Sequence, residues 1–331
     1  MDKKKNYWLI LGWISICLAL VSPVAAQQDD HLSQFNTSPM TLNPAMTGMF
    51  EGNYRGQLQY RTQWKSILKN PFVTEVASFD LPRKKFGYGL AVMSNKAGTG
   101  NMNTTALVLS CAYEVTSDPT EVHHLTTGVQ VGFINKSVDI SKLTFDNQYS
   151  YSSGTFDPNM SSQESFTSNS YLLPEVNFGV YYYHKNKETR FNPYGGISGF
   201  HLTIPKESYF GYNNRVPIRY LMHAGTKIKI NSTLNAEPSV LYMAQNNIHE
   251  FNIGALVDYF LVEQNTHVQL GTFYRNKDAF IIHFALLYKE YAMRMSYDIN
   301  TSALSKFTGA RGAFEISIIY TKENKLYVPS F

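Results

Sequence analysis

The feature that most constrains this chain is an alternation of apolar and polar side chains, two residues in period, recurring in segments of about ten residues along nearly its whole length. In Tyr291–Asp298 the residues Tyr291, Met293, Met295 and Tyr297 fall on one face and Ala292, Arg294, Ser296 and Asp298 on the other. A strand explains this split, because successive side chains point to opposite faces. Gly312–Tyr320 repeats it, with Phe314, Ile316, Ile318 and Tyr320 opposing Glu315 and Ser317. So does Phe280–Tyr288, where Phe280, Ile282, Phe284, Leu286 and Tyr288 oppose Ile281, His283 and Ala285. Phe251, Ile253, Ala255, Val257 and Tyr259 continue the pattern against Asn252, Gly254 and Asp258. Earlier segments read the same way: Tyr54–Trp64, Val73–Leu81, Phe86–Ser94, Thr104–Val115, Leu125–Val138, Leu172–His184, Asn192–Leu202, Pro217–Ile230, Ala236–Ala244 and Thr266–Tyr274. The tally is about 14 strands, an even number.

Two architectures bury such strands, a soluble β-sandwich and a membrane barrel. With 23 Tyr, 21 Phe and only 16% charged residues, the chain is aromatic-rich and charge-poor for a soluble exported protein. A mean hydropathy of −0.25 excludes a helical membrane bundle, and no apolar run of ~18 residues follows the N-terminal region. Tyr and Phe gather near strand ends, as in an interfacial girdle, and hairpins succeed one another without a domain break. The reading is an all-β, transmembrane, antiparallel outer-membrane β-barrel spanning residues 53–320. If the N-terminus stays in the periplasm, the inward links come out short (Pro82–Lys85, Thr116–His124, Lys185–Phe191, Asn231–Asn235, Val262–Asn265, Lys289-Glu290). The three longest links, Asp139–Tyr171, Thr203–Val216 and Ile299–Arg311, then all face outward, the asymmetry expected of a bacterial barrel.

The N-terminus carries charges at Asp2–Lys5, an apolar run Trp8–Val21 and a small-residue exit Val24-Ala25-Ala26. This is the layout of a signal peptide over residues 1–26, its apolar run shorter than the ~20 residues a spanning helix needs. Lipoprotein processing at Cys17 is set aside because Ile16, not a small residue, precedes it. Removing residues 1–26 takes three Lys and one Asp and lowers the net charge from +4 to +2, a balance that predicts no nucleic-acid partner. Cys111 alone would remain, so no internal disulfide can form. Residues 27–52, with two prolines and no clear period, are expected to run along the periplasmic mouth or to plug the lumen, where inner components could touch them. Residues 321–331 read as a tail.

His31–Gly48 reads HLSQFNTSPMTLNPAMTG, and Tyr60-Arg61-Thr62-Gln63-Trp64 follows. With Gln34-Phe35, Asn43-Pro44-Ala45 and Gly48, this start resembles the PorP/SprF family of type IX secretion membrane proteins. The resemblance continues through Tyr194–Leu202, Ser296–Ser302 and Gly312–Glu315. It implies an outer-membrane barrel of Bacteroidota, embedded in outer-membrane lipid and assisting type IX secretion. Its partners would be the secretion and gliding apparatus, or a large secreted adhesin with a C-terminal sorting domain. On this reading Asn43, Pro44, Gly48, Arg61 and Trp64 are structural or partner-contacting positions. An outer-membrane transporter or porin for small hydrophobic or polar solutes is the alternative.

No catalytic signature is present, and no cofactor or metal is expected. There is no nucleotide loop or paired C-x-x-C, and His249-Glu250 lacks a second His at zinc-helix spacing. His123-His124, expected in a short inner turn beside Glu121, is more simply a solvated turn than a metal site. His283, Ser296 and Asp298 share wet faces, but hydrolysis would require them within hydrogen-bond reach of one another. Charges inside strands, at Arg55, Arg61, Glu175, Arg219, Glu237, Asp258, Arg294, Asp298 and Glu315, are expected to point into the lumen and pair. The polar, aromatic-dotted loop 139–171 is the leading candidate for partner contact.

Overall fold

The computed structural model describes residues 29, 31–98, 100–116, 122–157, 159–164, 166, 168–207 and 214–322. The expected signal peptide and most of the expected tail lie outside these residues. Fourteen strands close into an antiparallel barrel. They are β1 (Tyr54–Gln63), β2 (Phe72–Arg83), β3 (Phe86–Ala97), β4 (Met102–Glu114), β5 (His123–Ser137), β8 (Ser170–His184), β9 (Phe191–Phe200), β10 (Arg219–Lys229), β11 (Leu234–Gln245), β12 (Ile248–Leu261), β13 (Thr266–Arg275), β14 (Ala279–Tyr288), β15 (Tyr291–Asn300) and β16 (Arg311–Lys322). A small separate hairpin, β6 (Tyr149–Ser150) with β7 (Thr155–Phe156), sits in the longest loop. Each strand pairs with its sequence neighbour around the barrel, and β1 pairs with β16 to close it. Every predicted strand segment lies on one of these fourteen.

Most strand ends shift by one to three residues from the sequence reading, and three shifts move residues named there. Trp64 is not in β1: at φ 57° it leaves the strand and opens the β1–β2 loop, its ring edge-on to Phe72. His123 and His124 are not in a turn but begin β5, paired with His184 and Tyr183. β16 runs past residue 320, because Thr321 and Lys322 pair with Arg55 and Tyr54.

Alternation maps onto the wall as expected. Leu58, Phe280, Ile282 and Ile318 are exposed toward lipid, while their sequence neighbours Gln57, Gln59, Ile281, His283 and Ser317 are buried inside. Links such as Lys84-Lys85, Val262–Asn265 and Lys289-Glu290 crowd one end, the short-turn end. The three longest, 138–169, 201–218 and 301–310, share the other, the long-loop end.

The lumen is filled rather than open. Residues 31–52 pass through it from the long-loop end to the short-turn end, with Ser33, Gln34, Asn43, Ala45 and Thr47 wholly buried. This plug segment forms a helical turn at Pro39–Leu42 and a tighter one at Pro44–Met46. Asn43 caps the second, its Oδ1 accepting from the Ala45 N–H at 2.9 Å, with Pro44 at the first helical position. Both choices follow from the orphan N–H groups at a helix start. The wall is thinned where this motif rests: a Cβ on Gly128 would collide with Pro44, and one on Gly179 with Asn43. Replacing Gly179 by Val is therefore expected to cost about 1–3 kcal/mol or more through overpacking. The readout is a lower urea midpoint for loss of the compact, heat-modifiable band in detergent.

Candidate functional site

The plug is held by charge at its upper end and by backbone capture lower down. Near the long-loop mouth, Arg61 from β1, Arg275 from β13, Asp298 from β15 and Glu315 from β16 meet inside the barrel, each at most 2% exposed. Arg61 lies 3.2 Å from Asp298 and 3.3 Å from Glu315, and Arg275 lies 2.8 Å from Asp298 and 2.6 Å from Asp278. Arg61 and Glu315 are direct cross-strand partners at the closing seam. A shift of register between Tyr297 and Ile299 places a bulge in β16, where Gly312 and Ala313 together oppose Asp298. The plug completes the network. Ser33 and Gln34 donate their backbone N–H groups to the two Glu315 oxygens at 2.8 and 3.0 Å, and the Ser33 hydroxyl donates to Asp298 at 2.8 Å. Such buried ions are tolerable only when paired and hydrogen-bonded, which ties the plug to the wall.

Above this network the plug tip meets the long-loop rim. Asp29 takes His201 Nε2 and lies 3.5 Å from Arg219, while its N–H donates to Gln245 at 2.7 Å. The other ring nitrogen of His201 meets Glu175 at 2.8 Å, so both nitrogens donate and the imidazole is cationic. Burial alone would push His201 down, but its hydrogen bonds to Asp29 and Glu175 outweigh that and bring it up to about 9. Burial opposes charge on Asp29 as well, yet Arg219 and His201 hold its carboxyl well below the usual range. His31 lies 3.0 Å from Glu250.

Lower down, the Asn43 amide donates to the Val180 and Ile197 carbonyls at 3.0 and 3.2 Å, bridging β8 and β9. Ser198, Thr126 and Gln130 donate to the carbonyls of Leu42, Ala45 and Met40. Phe35 and Leu42 pack against Phe200, Leu221, Leu241, Met243 and Phe273, the two phenyl rings edge to face at 5.6 Å. At Gly48 (φ 71°) the chain turns left-handed, beside the Gly87 backbone, where a side chain would not fit. Its N–H donates to Asp80, which also receives a two-point clasp from Arg55. The plug leaves through a cavity of about 680 Å³ at the short-turn mouth, lined by Tyr181, Tyr183, Tyr194, Lys187 and Lys227. Here Lys185 hydrogen-bonds Glu51 and lowers its pKa.

The family-like positions are thus largely internal. Asn43, Pro44 and Gly48 are buried. Arg61 joins the ion network, and Trp64 sits half-buried at the long-loop rim. Among the strand charges, Glu237 accepts from the Tyr194 hydroxyl and Asp258 meets His267, whereas Arg294 makes no ion pair among the described residues. His283 and Ser296 are cross-strand partners, but Asp298 is committed to Arg61, Arg275 and Ser33 and Ser296 to Gln34, so no relay forms. Among the described residues no group of three or more His, Cys, Asp or Glu converges to hold a metal ion. Arg275, Asp80, Asp29 and His201 were not singled out by sequence; only the position of Arg275 at a strand end hinted at it.

The model of the PorP/SprF family, described as type IX secretion system membrane proteins, matches residues 24–320. The chain belongs to this family. No curated protein matches the sequence. Among solved structures, the toluene transporter TbuX of Ralstonia pickettii is similar with a TM-score of 0.52 at 10% identity, covering 86% of this chain and 94% of that one. The P. putida toluene transporter TodX aligns with a TM-score of 0.46 at 10% identity over 85% and 92%. As a PorP/SprF member with an outer-membrane barrel fold, the protein is a type IX secretion membrane component. Four of the segments that resemble the family contribute Gln34, Arg61, Asp298 and Glu315 to the one buried network.

Removing one member should be severe. Arg61→Met strands Glu315 and is expected to cost about 3–5 kcal/mol, read as loss of the urea-resistant folded form. The plug tip should also titrate. Because His201 is raised, its contribution is complete below about 6.5 and fades as pH rises through about 9. Because Asp29 is lowered, its contribution holds above about 3.8 and is lost on further acidification. The difference in melting temperature between the native protein and His201→Gln should therefore be widest near pH 4–6.5 and close above pH 9.

Proposed function

We propose that this barrel serves type IX secretion by holding a protein partner, not by conducting solutes. The partner is a large secreted adhesin, whose export or surface attachment the barrel assists, or a component of the secretion and gliding apparatus. The observation that carries this reading is the plugged lumen. Residues 31–48 fill it and are fixed by a buried ion network, so the surfaces left for work are the two mouths and the outer loops. At the long-loop end, residues 138–169 carry the hairpin β6–β7 with Tyr151 almost fully exposed, an aromatic protrusion suited to protein contact. The outer membrane and a signal peptide over residues 1–26 complete the reading, which assigns no enzymatic role.

The barrel shape shared with toluene transporters raises a solute-carrying alternative. Against it, the cavity beside the apolar plug contacts at Phe35, Leu42 and Leu241 holds about 40 Å³, well short of the roughly 150 Å³ cavity known to take up benzene.

In planar bilayers the intact protein is expected to pass negligible current, and a variant lacking residues 29–48 to conduct. A deletion strain should lose surface display of a type IX adhesin. Steady current through the intact barrel, together with normal adhesin display in that strain, would overturn the proposal.

A further inference from the structure

The barrel wall is ragged, and the longest overrun at the long-loop end belongs to β8. All of β8, Ser170–His184, pairs with β5, yet on its other side only Phe178–Tyr183 pair with β9. Residues Ser170–Asn177 therefore extend past β9 with one edge outside the sheet, at the long-loop end. Fifteen residues rising about 3.3 Å each at a tilt near 40° climb roughly 38 Å, against an apolar band of about 25 Å. The tip of β8 thus stands clear of the hydrocarbon.

Among the described residues no strand covers this edge. After β9 the chain lies along it through two contacts, the Leu202 N–H donating to the Val176 carbonyl at 3.0 Å and the Thr203 hydroxyl to the Pro174 carbonyl at 2.7 Å. Pro174 has no N–H to offer in return, which marks an edge position. The covering segment is strained: His201 has φ 59° and Ile204 φ 45°, the second unusual for a β-branched side chain. Leu172 is 68% exposed, and Leu202 and Ile204 are 38% exposed. The segment is latched from inside, since His201 is gripped between Glu175 of the wall and Asp29 of the plug. Arg219 adds a second cation facing Asp29.

We propose that the edge of β8 over Ser170–Val176 is a strand-addition site, where an extended segment of a partner protein replaces residues 202–203, and that the contact between Asp29 and His201 controls access. The occupant follows from the chemistry of the edge. Carbonyls at strand spacing are satisfied by the N–H groups of a peptide backbone, and an apolar solute has no donor to give them. The inference rests on the reading that the long-loop face meets a protein partner, and its test avoids secretion altogether.

The test uses the purified full chain folded in detergent. Leu173, buried against Val216, is replaced by Cys as a reporter for a polar maleimide after the exposed Cys111 is replaced by Ser. Adding Asp29→Asn should speed labelling about tenfold or more, the effect of roughly 1.4 kcal/mol, while Glu51→Gln at the opposite mouth should leave the rate unchanged. A Val216→Cys reporter repeats the measurement should Leu173→Cys not fold. A biotinylated Thr-Val repeat of about ten residues, the length of a strand, should bind the Asp29→Asn protein about tenfold more tightly than the native one. The same peptide with alternate N-methyl groups should not bind. Unchanged labelling with both reporters, equal capture of the two peptides, or no capture of either would overturn the site. Loss of adhesin display without these effects would bear on the secretion reading alone.

Discussion

Two arginines and two carboxylates buried inside a membrane barrel constrain everything else in this structure. None of Arg61, Arg275, Asp298 or Glu315 can face lipid, and none can be left alone in the lumen without a cost of several kcal/mol. Their mutual pairing fixes the register of β1 against β16, because Arg61 and Glu315 are cross-strand neighbours at the closing seam. It also fixes the plug, because Asp298 accepts from Ser33 and Glu315 from the backbone of Ser33 and Gln34. Barrel closure and plug seating are thus one event, held by the same side chains.

The two ends of the plug are secured differently. Toward the long-loop mouth the contacts are ionic, through Asp29, His201 and Arg219. Below, they are captures of backbone carbonyls by Asn43, Ser198, Thr126 and Gln130, insensitive to charge. The upper contacts therefore depend on pH while those of the lower half do not.

The alternation of residues such as Phe280, Ile282 and Phe284 against Ile281 and His283 was legible because lipid and lumen impose a strict period of two. It placed every barrel strand. Trp64 was misplaced because an aromatic continues an apolar pattern even where the backbone has already turned out of the sheet. Thr321 and Lys322 were read as tail because hydrophilic residues at a barrel rim carry no lipid-facing signal. The partners of the plug were harder still. Asp29 lies beside an export-like sequence that explains its charge equally well, and its meeting with His201, more than a hundred residues away, is a fact of topology. The segments resembling the family contain Arg61, Asp298 and Glu315, though only the fold discloses that they meet.

The direction of the plug has a consequence for assembly. Asp29 rests at one rim, and β1 starts at the other, so the intervening residues thread the whole bore before the first strand begins. With β16 as the mate that shuts the ring, the cord and the cylinder around it are one continuous thread. A vessel built this way carries its own cork on a tether, so the cork cannot be lost without cutting the chain.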